Sequence, residues 1–341
     1  MGVFRRVLAK SRVFSTIDSM FKFHGVKVFM LHRVCERTPY WPSLDVENFE
    51  RFVRHVAKNY TVVGAEDVCS VVSSGLSRKD KYAVITFDDG YVDLYECVAE
   101  ILDKYGVKAT VFVCPEAMDS GYIDWDLLHH GDAQGERGRI DAVFERFYTA
   151  RVCDHALWER TRLMKDAIKS APHEVRKSFF GELLELMGEP SARYLATWDQ
   201  LLEMVRDGVL TVGAHTMTHP ILSKVGLSEA RDEIAMSIEK VSSVVGVENV
   251  AFAYPNGRAQ DYTEDVLGLV AASRCCAAFT TTQGVVDAVD YPYAPPRIDV
   301  TMDYFSADAI RMDGQYVDEF SSAAWLGFVK LYAQARSLLH A

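Results

Sequence analysis

Short apolar runs alternate with amphipathic helical stretches along most of the chain, and this alternation restricts the fold more than any other feature. The apolar runs are predicted strands at 27–34, 82–87, 108–114, 210–216, 250–255 and 276–282. Helical spacing falls between them, at 48–59, 91–106, 227–245 and 262–273. Strands that are apolar throughout and separated by helices predict a parallel sheet covered on both faces, either open or closed into a barrel.

One stretch, from about 122 to 195, breaks the alternation. It is rich in charged residues and carries helical patterns without intervening strands. We interpret it as a helical insertion within a main domain that spans 27–320. A basic amphipathic segment, 1–26, precedes that domain, and an amphipathic helix at 321–341 is predicted to follow it.

The chain has 341 residues and a formal net charge of −11. This acidic balance argues against nucleic acid as the main partner, because a phosphate backbone is bound by a basic surface. The seven cysteines include no C-x-x-C pair. Their pattern favours reduced thiols and gives no support to a zinc–thiolate site.

Segment 1–26 is basic but lacks the uninterrupted apolar core of a secretory signal. No window of the sequence is long and apolar enough to predict a membrane-spanning helix. We therefore expect a cytoplasmic protein in which this segment packs against the domain. Peripheral contact with a membrane surface is the alternative.

Two adjacent carboxylates, Asp88 and Asp89, follow the apolar run in the stretch ITFDDGY. Two ionised carboxylates at neighbouring positions repel each other. A cation bound to one carboxylate and a proton exchanged by the other would resolve the repulsion. Taken alone, however, a DDG sequence is more often a solvated turn.

Two histidines, His215 and His219, follow another apolar run in AHTMTHP. An H-x-x-x-H pair is a common source of two metal ligands, although alone it is more often a helix face or a surface pair. With one carboxylate it would form a three-ligand face that leaves coordination positions open, as in catalytic metal sites. Both motifs end predicted strands, where active sites of parallel α/β folds gather.

The ordered motifs TFDDG, HTMTHP and FAYPNG resemble those of the polysaccharide deacetylases, the NodB-homology or carbohydrate esterase 4 family, over about residues 27–300. The chain is most similar to bacterial members encoded near envelope and exopolysaccharide biosynthesis genes. The resemblance implies a distorted (β/α)7-type barrel, here with the helical insertion. It also implies metal-dependent hydrolysis of acyl groups, usually N-acetyl groups on amino sugars.

The resemblance also implies roles for individual residues. Asp89, His215 and His219 would hold a divalent metal, most simply Zn²⁺, with Co²⁺, Ni²⁺ or Fe²⁺ as alternatives. Asp88 would be the general base that takes a proton from water. The backbone N–H of Asn256, which follows the proline of FAYPNG, would stabilise the oxyanion.

The sequence departs from the family pattern at the arginine that pairs with the catalytic aspartate. Many members carry it two residues before the proline of the third motif, where this chain has Ala253. Arg297, in PPRIDV, is the predicted replacement. The alternative is that Arg297 forms only a surface or structural ion pair.

A second departure concerns the general acid. Typical members use the histidine of a late L-x-H motif, and the late match here is His340, next to the last residue at a frayed helix tail. His32, which follows the first apolar run, is the predicted acid that protonates the leaving amine. A purely structural histidine is the alternative.

Tyr91 and Tyr254 flank the predicted base and oxyanion donor and are predicted to line the substrate groove. The expected activity is N-deacetylation of an amino sugar in a cell-envelope or exopolysaccharide precursor, with nucleotide-linked or lipid-linked sugars within reach. Three related activities stay open: a deformylase, an O-deacetylase and a small-molecule amidase. A non-catalytic glycan-binding module is the alternative from another class.

Overall fold

A computed structural model of the chain describes residues 25–76, 80–287 and 292–300. The predicted helix at 321–341 and His340 lie outside these ranges. Segment 1–26 does too, apart from its last two residues.

Seven parallel strands form one curled sheet with surrounding helices. The strands of the structure are β1 (Lys27–Leu31), β2 (Arg33–Val34), β3 (Ser43–Leu44), β4 (Thr61–Val62), β5 (Tyr82–Asp89), β6 (Ala109–Val113), β7 (Leu210–Ala214), β8 (Phe252–Ala253), β9 (Ala278–Phe279) and β10 (Ile298–Asp299). The order in the sheet is β10-β1-β5-β6-β7-β8-β9, and β4 pairs with the start of β5. The predicted α/β barrel-type fold is therefore confirmed.

Strand β5 shows why the strands of this sheet have continuous apolar sequences. It pairs with β1 on one side, as in Met30↔Thr86, and with β6 on the other, as in Asp89↔Val113. Every residue from Ala83 to Asp89 is buried, because neighbouring strands and both faces of the sheet are covered. The run of buried positions delivers two carboxylates to the carboxyl end of a central strand.

Helices cover the sheet. They are α1 (Val46–Asn59), α2 (Val68–Ser73), α3 (Ala99–Lys104), α4 (Pro115–Ser120), α5 (Asp126–Ala133), α6 (Arg137–Phe147), α7 (Leu157–Ser170), α8 (His173–Met187), α9 (Trp198–Arg206), α10 (Leu227–Val245) and α11 (Glu264–Ala271). A π-helical segment, Leu94–Val98, leads into α3, and Ala65–Asp67 and Leu222–Lys224 are 3₁₀ turns. Within the described ranges, none of the helices is both long and apolar enough to cross a membrane.

Six of the helices, α4 to α9, lie between β6 and β7 in the chain. These two strands are nonetheless neighbours in the sheet, paired from Ala109↔Leu210 to Val113↔Ala214. Inside this helical segment, Arg160 is almost fully buried and donates to Asp132 (2.9 Å) and Asp141 (2.6 Å). The segment thus leaves the sheet and returns to it without separating the two strands.

Candidate active site

Asp89, His215 and His219 converge at the carboxyl ends of β5 and β7. The Oδ1 atom of Asp89 lies 3.7 Å from Nε2 of His215 and 3.5 Å from Nε2 of His219. All three side chains are buried, and their possible ligand atoms lie within 4.8 Å of one another. The two sequence motifs, more than a hundred residues apart, therefore meet in one place.

The backbone around this cluster is held in an uncommon conformation. Among the described residues, the non-glycine residues with positive φ are Asp89 (76°), Thr216 (66°), His219 (61°) and Asn256 (58°). All four belong to the motifs of the site. Left-handed backbone costs about 1–3 kcal/mol at a non-glycine residue, so the surrounding fold must stabilise it.

Hydrogen bonding orients His215 toward the cluster. Its Nδ1 lies 2.7 Å from the carbonyl oxygen of Ala253. Because a carbonyl only accepts, Nδ1 carries the proton, and Nε2, on the side of Asp89, keeps its lone pair free for a metal ion. Burial lowers the pKa of His215 to about 4 and that of His219 well below its ordinary value, so both imidazoles are neutral.

The donor set fits a divalent metal. Oδ1 of Asp89 is buried and accepts no hydrogen bond from the described residues. Burial, followed by the nearby carboxylates Asp88 and Asp126, raises the pKa of Asp89 well above its ordinary value. A bound cation would compensate this carboxylate, and one carboxylate with two neutral imidazoles is a typical Zn²⁺ ligand set.

Arg297 holds the second carboxylate. Its Nη1 and Nη2 donate to the two oxygens of Asp88, both at 2.7 Å. Further bonds run from Nε to the Thr280 carbonyl (2.9 Å) and from Nη1 to Oγ1 of Thr86 (3.2 Å). Burial opposes ionisation of Asp88, but Arg297 more than offsets it, and the pKa of Asp88 falls to about 2. Asp88 is therefore ionised at neutral pH.

His32 and Asn256 lie beside this pair of acids. Nε2 of His32 is 4.0 Å from Oδ2 of Asp88, and burial lowers the pKa of the imidazole. Asn256 lines the same cleft. Within the described ranges, the backbone N–H of Asn256 donates to no protein acceptor, so it is available to a ligand.

The two predicted groove tyrosines have different positions. Tyr91 lines the cleft, and its hydroxyl donates to Oδ1 of Asp126 at 3.1 Å. Tyr254 instead packs in the core, where its ring stacks on Tyr262 and its hydroxyl donates to the Tyr293 carbonyl at 2.8 Å. The chain turns between Tyr254 and Asn256. Tyr254 therefore does not line the cleft, although it is close in sequence to Asn256, which does.

The cleft has a volume of about 220 Å³ and includes residues that sequence reasoning did not assign to it. They are the aromatic Tyr40 and Trp41, the acid Asp299 and the cationic Lys165, Lys169 and Arg258. The available signal was weak, because isolated aromatic residues and helix lysines are common on ordinary surfaces. Trp125 also lines the cleft.

The fold and the site together define a class: a curled parallel (β/α) barrel with a candidate metal centre and an arginine-paired carboxylate at its strand ends. The chain belongs to the polysaccharide deacetylase family, whose sequence profile matches residues 75–272.

Individual relatives agree with this assignment. A candidate polysaccharide deacetylase of Bacillus subtilis (strain 168), YxkH, is 32% identical over 68 residues, which cover 20% of this chain and 24% of the relative. The structure is similar to the Streptococcus pyogenes deacetylase PplD in complex with acetate (TM-score 0.59, 18% identity, 88% of this chain and 98% of that chain). It is also similar to IcaB from Ammonifex degensii (TM-score 0.55, 16% identity, 89% and 97%). At these sequence identities, the similarity to the two solved structures supports the fold alone.

Proposed function

We propose that the protein is a metal-dependent hydrolase that removes an N-acetyl group from an amino sugar of a glycan precursor. The observation that carries this proposal is the convergence of Asp89, His215 and His219 beside an ionised Asp88 in one cleft. The family and the deacetylases of similar fold support a carbohydrate substrate. A glycan-binding module would have no need for an arginine-paired carboxylate next to a metal site.

A divalent cation held by Asp89, His215 and His219 would supply Lewis-acid chemistry, polarising the acyl carbonyl and acidifying water. Asp88 takes the proton of the attacking water, in an orientation fixed by Arg297. The backbone N–H of Asn256 donates to the carbonyl oxygen as negative charge develops there.

His32 completes the proposed reaction. A proton delivered from His32 to the nitrogen lets the carbon–nitrogen bond break, and the products are acetate and a free amine. This role is supported by the position of His32, whose Nε2 lies 4.0 Å from Oδ2 of Asp88 in the same cleft. Water supplies the oxygen and both protons of the balanced reaction.

The test is acyl release by the zinc-loaded protein from N-acetyl, N-formyl and O-acetyl derivatives of the same amino-sugar oligosaccharides. We expect acetate from the N-acetyl sugars and a loss of at least about 100-fold in Asp88→Asn, which removes the base. The control, Asp103→Asn, changes an exposed acid. Preferential formate release or O-deacetylation would reassign the acyl group, whereas full activity in Asp88→Asn would overturn the mechanism.

A further inference from the structure

Part of the cleft lining is cationic. Lys165 and Lys169 lie one turn apart on α7 of the inserted segment, and Arg258 lies in the loop after β8. All three line the cleft that contains Asp89. The inserted helices and the barrel therefore contribute positive charge to the same space.

The charged side-chain groups of these cations have no carboxylate partner among the described residues. Nζ of Lys165 donates to the backbone carbonyls of Pro39 (3.2 Å) and Tyr40, and Nζ of Lys169 lies 5.6 Å from the centre of the Trp125 ring. Arg258 is exposed. In the part of the chain that the structure describes, no carboxylate lies within ion-pair distance of any of the three. Their charge is left for a ligand.

The electrostatic balance also favours an anion. Burial, and next the charge of Lys169, lowers the pKa of Lys165 to about 7. Burial and Arg258 lower the pKa of Lys169 to about 8. Asp88, one of the three carboxylates that line the cleft, is already paired with Arg297. With a divalent metal bound, positive charge in the cleft would therefore be in surplus. An anionic ligand would offset both the desolvation and the surplus.

We propose that Lys165, Lys169 and Arg258 bind a phosphate group attached to the sugar substrate. This inference rests on the proposed function, since it names the class of amino sugar that the same cleft accepts. Several cationic donors around one space suit a phosphate group, which offers more acceptor oxygens than a carboxylate. Sugar nucleotides and polyisoprenyl diphosphate sugars share this chemistry.

The experiment compares binding of N-acetylglucosamine 1-phosphate and the neutral methyl N-acetylglucosaminide to the zinc-loaded protein by isothermal titration calorimetry. We expect the phosphate-bearing sugar to bind at least about tenfold more tightly, as charge-assisted hydrogen bonds predict. UDP-N-acetylglucosamine and farnesyl diphosphate-linked N-acetylglucosamine form two further arms. The tighter of the two identifies the source of the phosphate.

Three variants locate the contact. Lys169→Gln and Arg258→Gln should each remove most of the preference for the phosphate-bearing sugar over the neutral glycoside. Lys177→Gln, which removes an exposed lysine from the same inserted segment, should retain the preference. Circular dichroism and zinc content verify that each variant is folded and loaded.

Two results would overturn the proposal: equal affinity of the wild-type protein for the two sugars, or a preference unchanged in Lys169→Gln and Arg258→Gln. The second result would place the phosphate on the metal itself. Because the readout is binding, a protein that releases no acetate but loses its preference in these variants would refute the deacetylase and retain the phosphate site.

Discussion

Arg297 donates two hydrogen bonds of 2.7 Å to Asp88, although the two residues are 209 positions apart in the chain. Both side chains are buried, and Arg297 precedes β10, the strand next to β1 in the sheet. Ala253, at the position where many relatives carry the arginine, packs in a buried cluster with Phe112. The guanidinium of Arg297 lies 5.6 Å from the centre of the Phe112 ring, so the arginine reaches this region from a different strand.

Loss of this arginine should affect stability as well as activity. Arg297→Met leaves the buried Asp88 without its partner, and we expect the free energy of unfolding to fall by about 3–5 kcal/mol in urea titrations. Arg297→Lys keeps the charge but not the two-pronged geometry. Its free energy of unfolding should lie between those of the wild type and Arg297→Met. Arg54→Met, at an exposed position, is the control. A loss no larger than that of the control would show that the pair contributes little.

The proposed metal centre can be tested by measuring bound zinc after its carboxylate is neutralised. Asp89→Asn should reduce zinc from about one equivalent per chain to a small fraction of that value, because the site loses its only charged ligand. Mass spectrometry of the dialysed protein measures this. Asp103→Asn should bind zinc like the wild type. Zinc retained in full by Asp89→Asn would mean that the ion is held elsewhere.

The proposed acid predicts a dependence on the leaving group. His32→Gln should slow hydrolysis of an N-acetyl sugar by about 100-fold, because an amine needs a proton to leave. Hydrolysis of 4-nitrophenyl acetate, whose leaving group needs none, should change little. Equal losses with the two substrates would instead indicate a structural role for His32. Zinc content serves as the control for the integrity of the site.

The left-handed backbone of Asn256 can be tested with a pair of variants. Glycine adopts φ near +58° freely, whereas alanine is disfavoured there by about 1–2 kcal/mol. Asn256→Gly should therefore keep more stability and more acetate release than Asn256→Ala. Thermal unfolding and initial rates provide the comparison. An alanine variant equal to glycine in both would show that this backbone geometry is not required.

Binding of the phosphate probe should weaken as pH rises. Lys165 and Lys169 have lowered pKa values of about 7 and about 8, so they lose their charge between about pH 6 and about pH 9. UDP-N-acetylglucosamine keeps its diphosphate charge over this range, and its affinity should fall by up to about tenfold per pH unit for each lysine. Other charged groups near the two amines are Asp126, Asp166, Asp261, Arg176 and Arg258.

The pH effect is measured by calorimetry at constant ionic strength. The double variant Lys165→Gln, Lys169→Gln should bind weakly and with little pH dependence. A wild-type affinity that is constant over the range, or that rises, would contradict the assignment of these lysines.

The sheet and the residues at its strand ends could be predicted from the sequence, because buried parallel strands are apolar throughout. The run at 82–87 continues into β5, and the helix predicted at 227–245 coincides with α10. The runs at 250–255 and 276–282 exceed the two-residue strands β8 and β9. Burial extends past the paired residues there, so apolar character overestimates strand length.

The sequence did not predict that the cationic residues and Trp41 line the cleft. Their position there depends on how loops and inserted helices fold back over the barrel. Lysines one turn apart on an amphipathic helix have the same pattern whether they face solvent or a cleft. Tyr254 shows the converse, since it is close to Asn256 in sequence but packs in the core. The cytoplasmic location and the membrane contact of segment 1–26 stay predictions.

The helical segment leaves and rejoins the barrel at β6 and β7, which pair residue for residue. Its contribution to the cleft, Lys165 and Lys169 included, consequently comes from one continuous piece of sequence, whereas Asp89, His215 and His219 belong to the barrel. Replacement of that one piece during evolution would change the charge of the cleft lining without changing the sequence of the three candidate metal ligands.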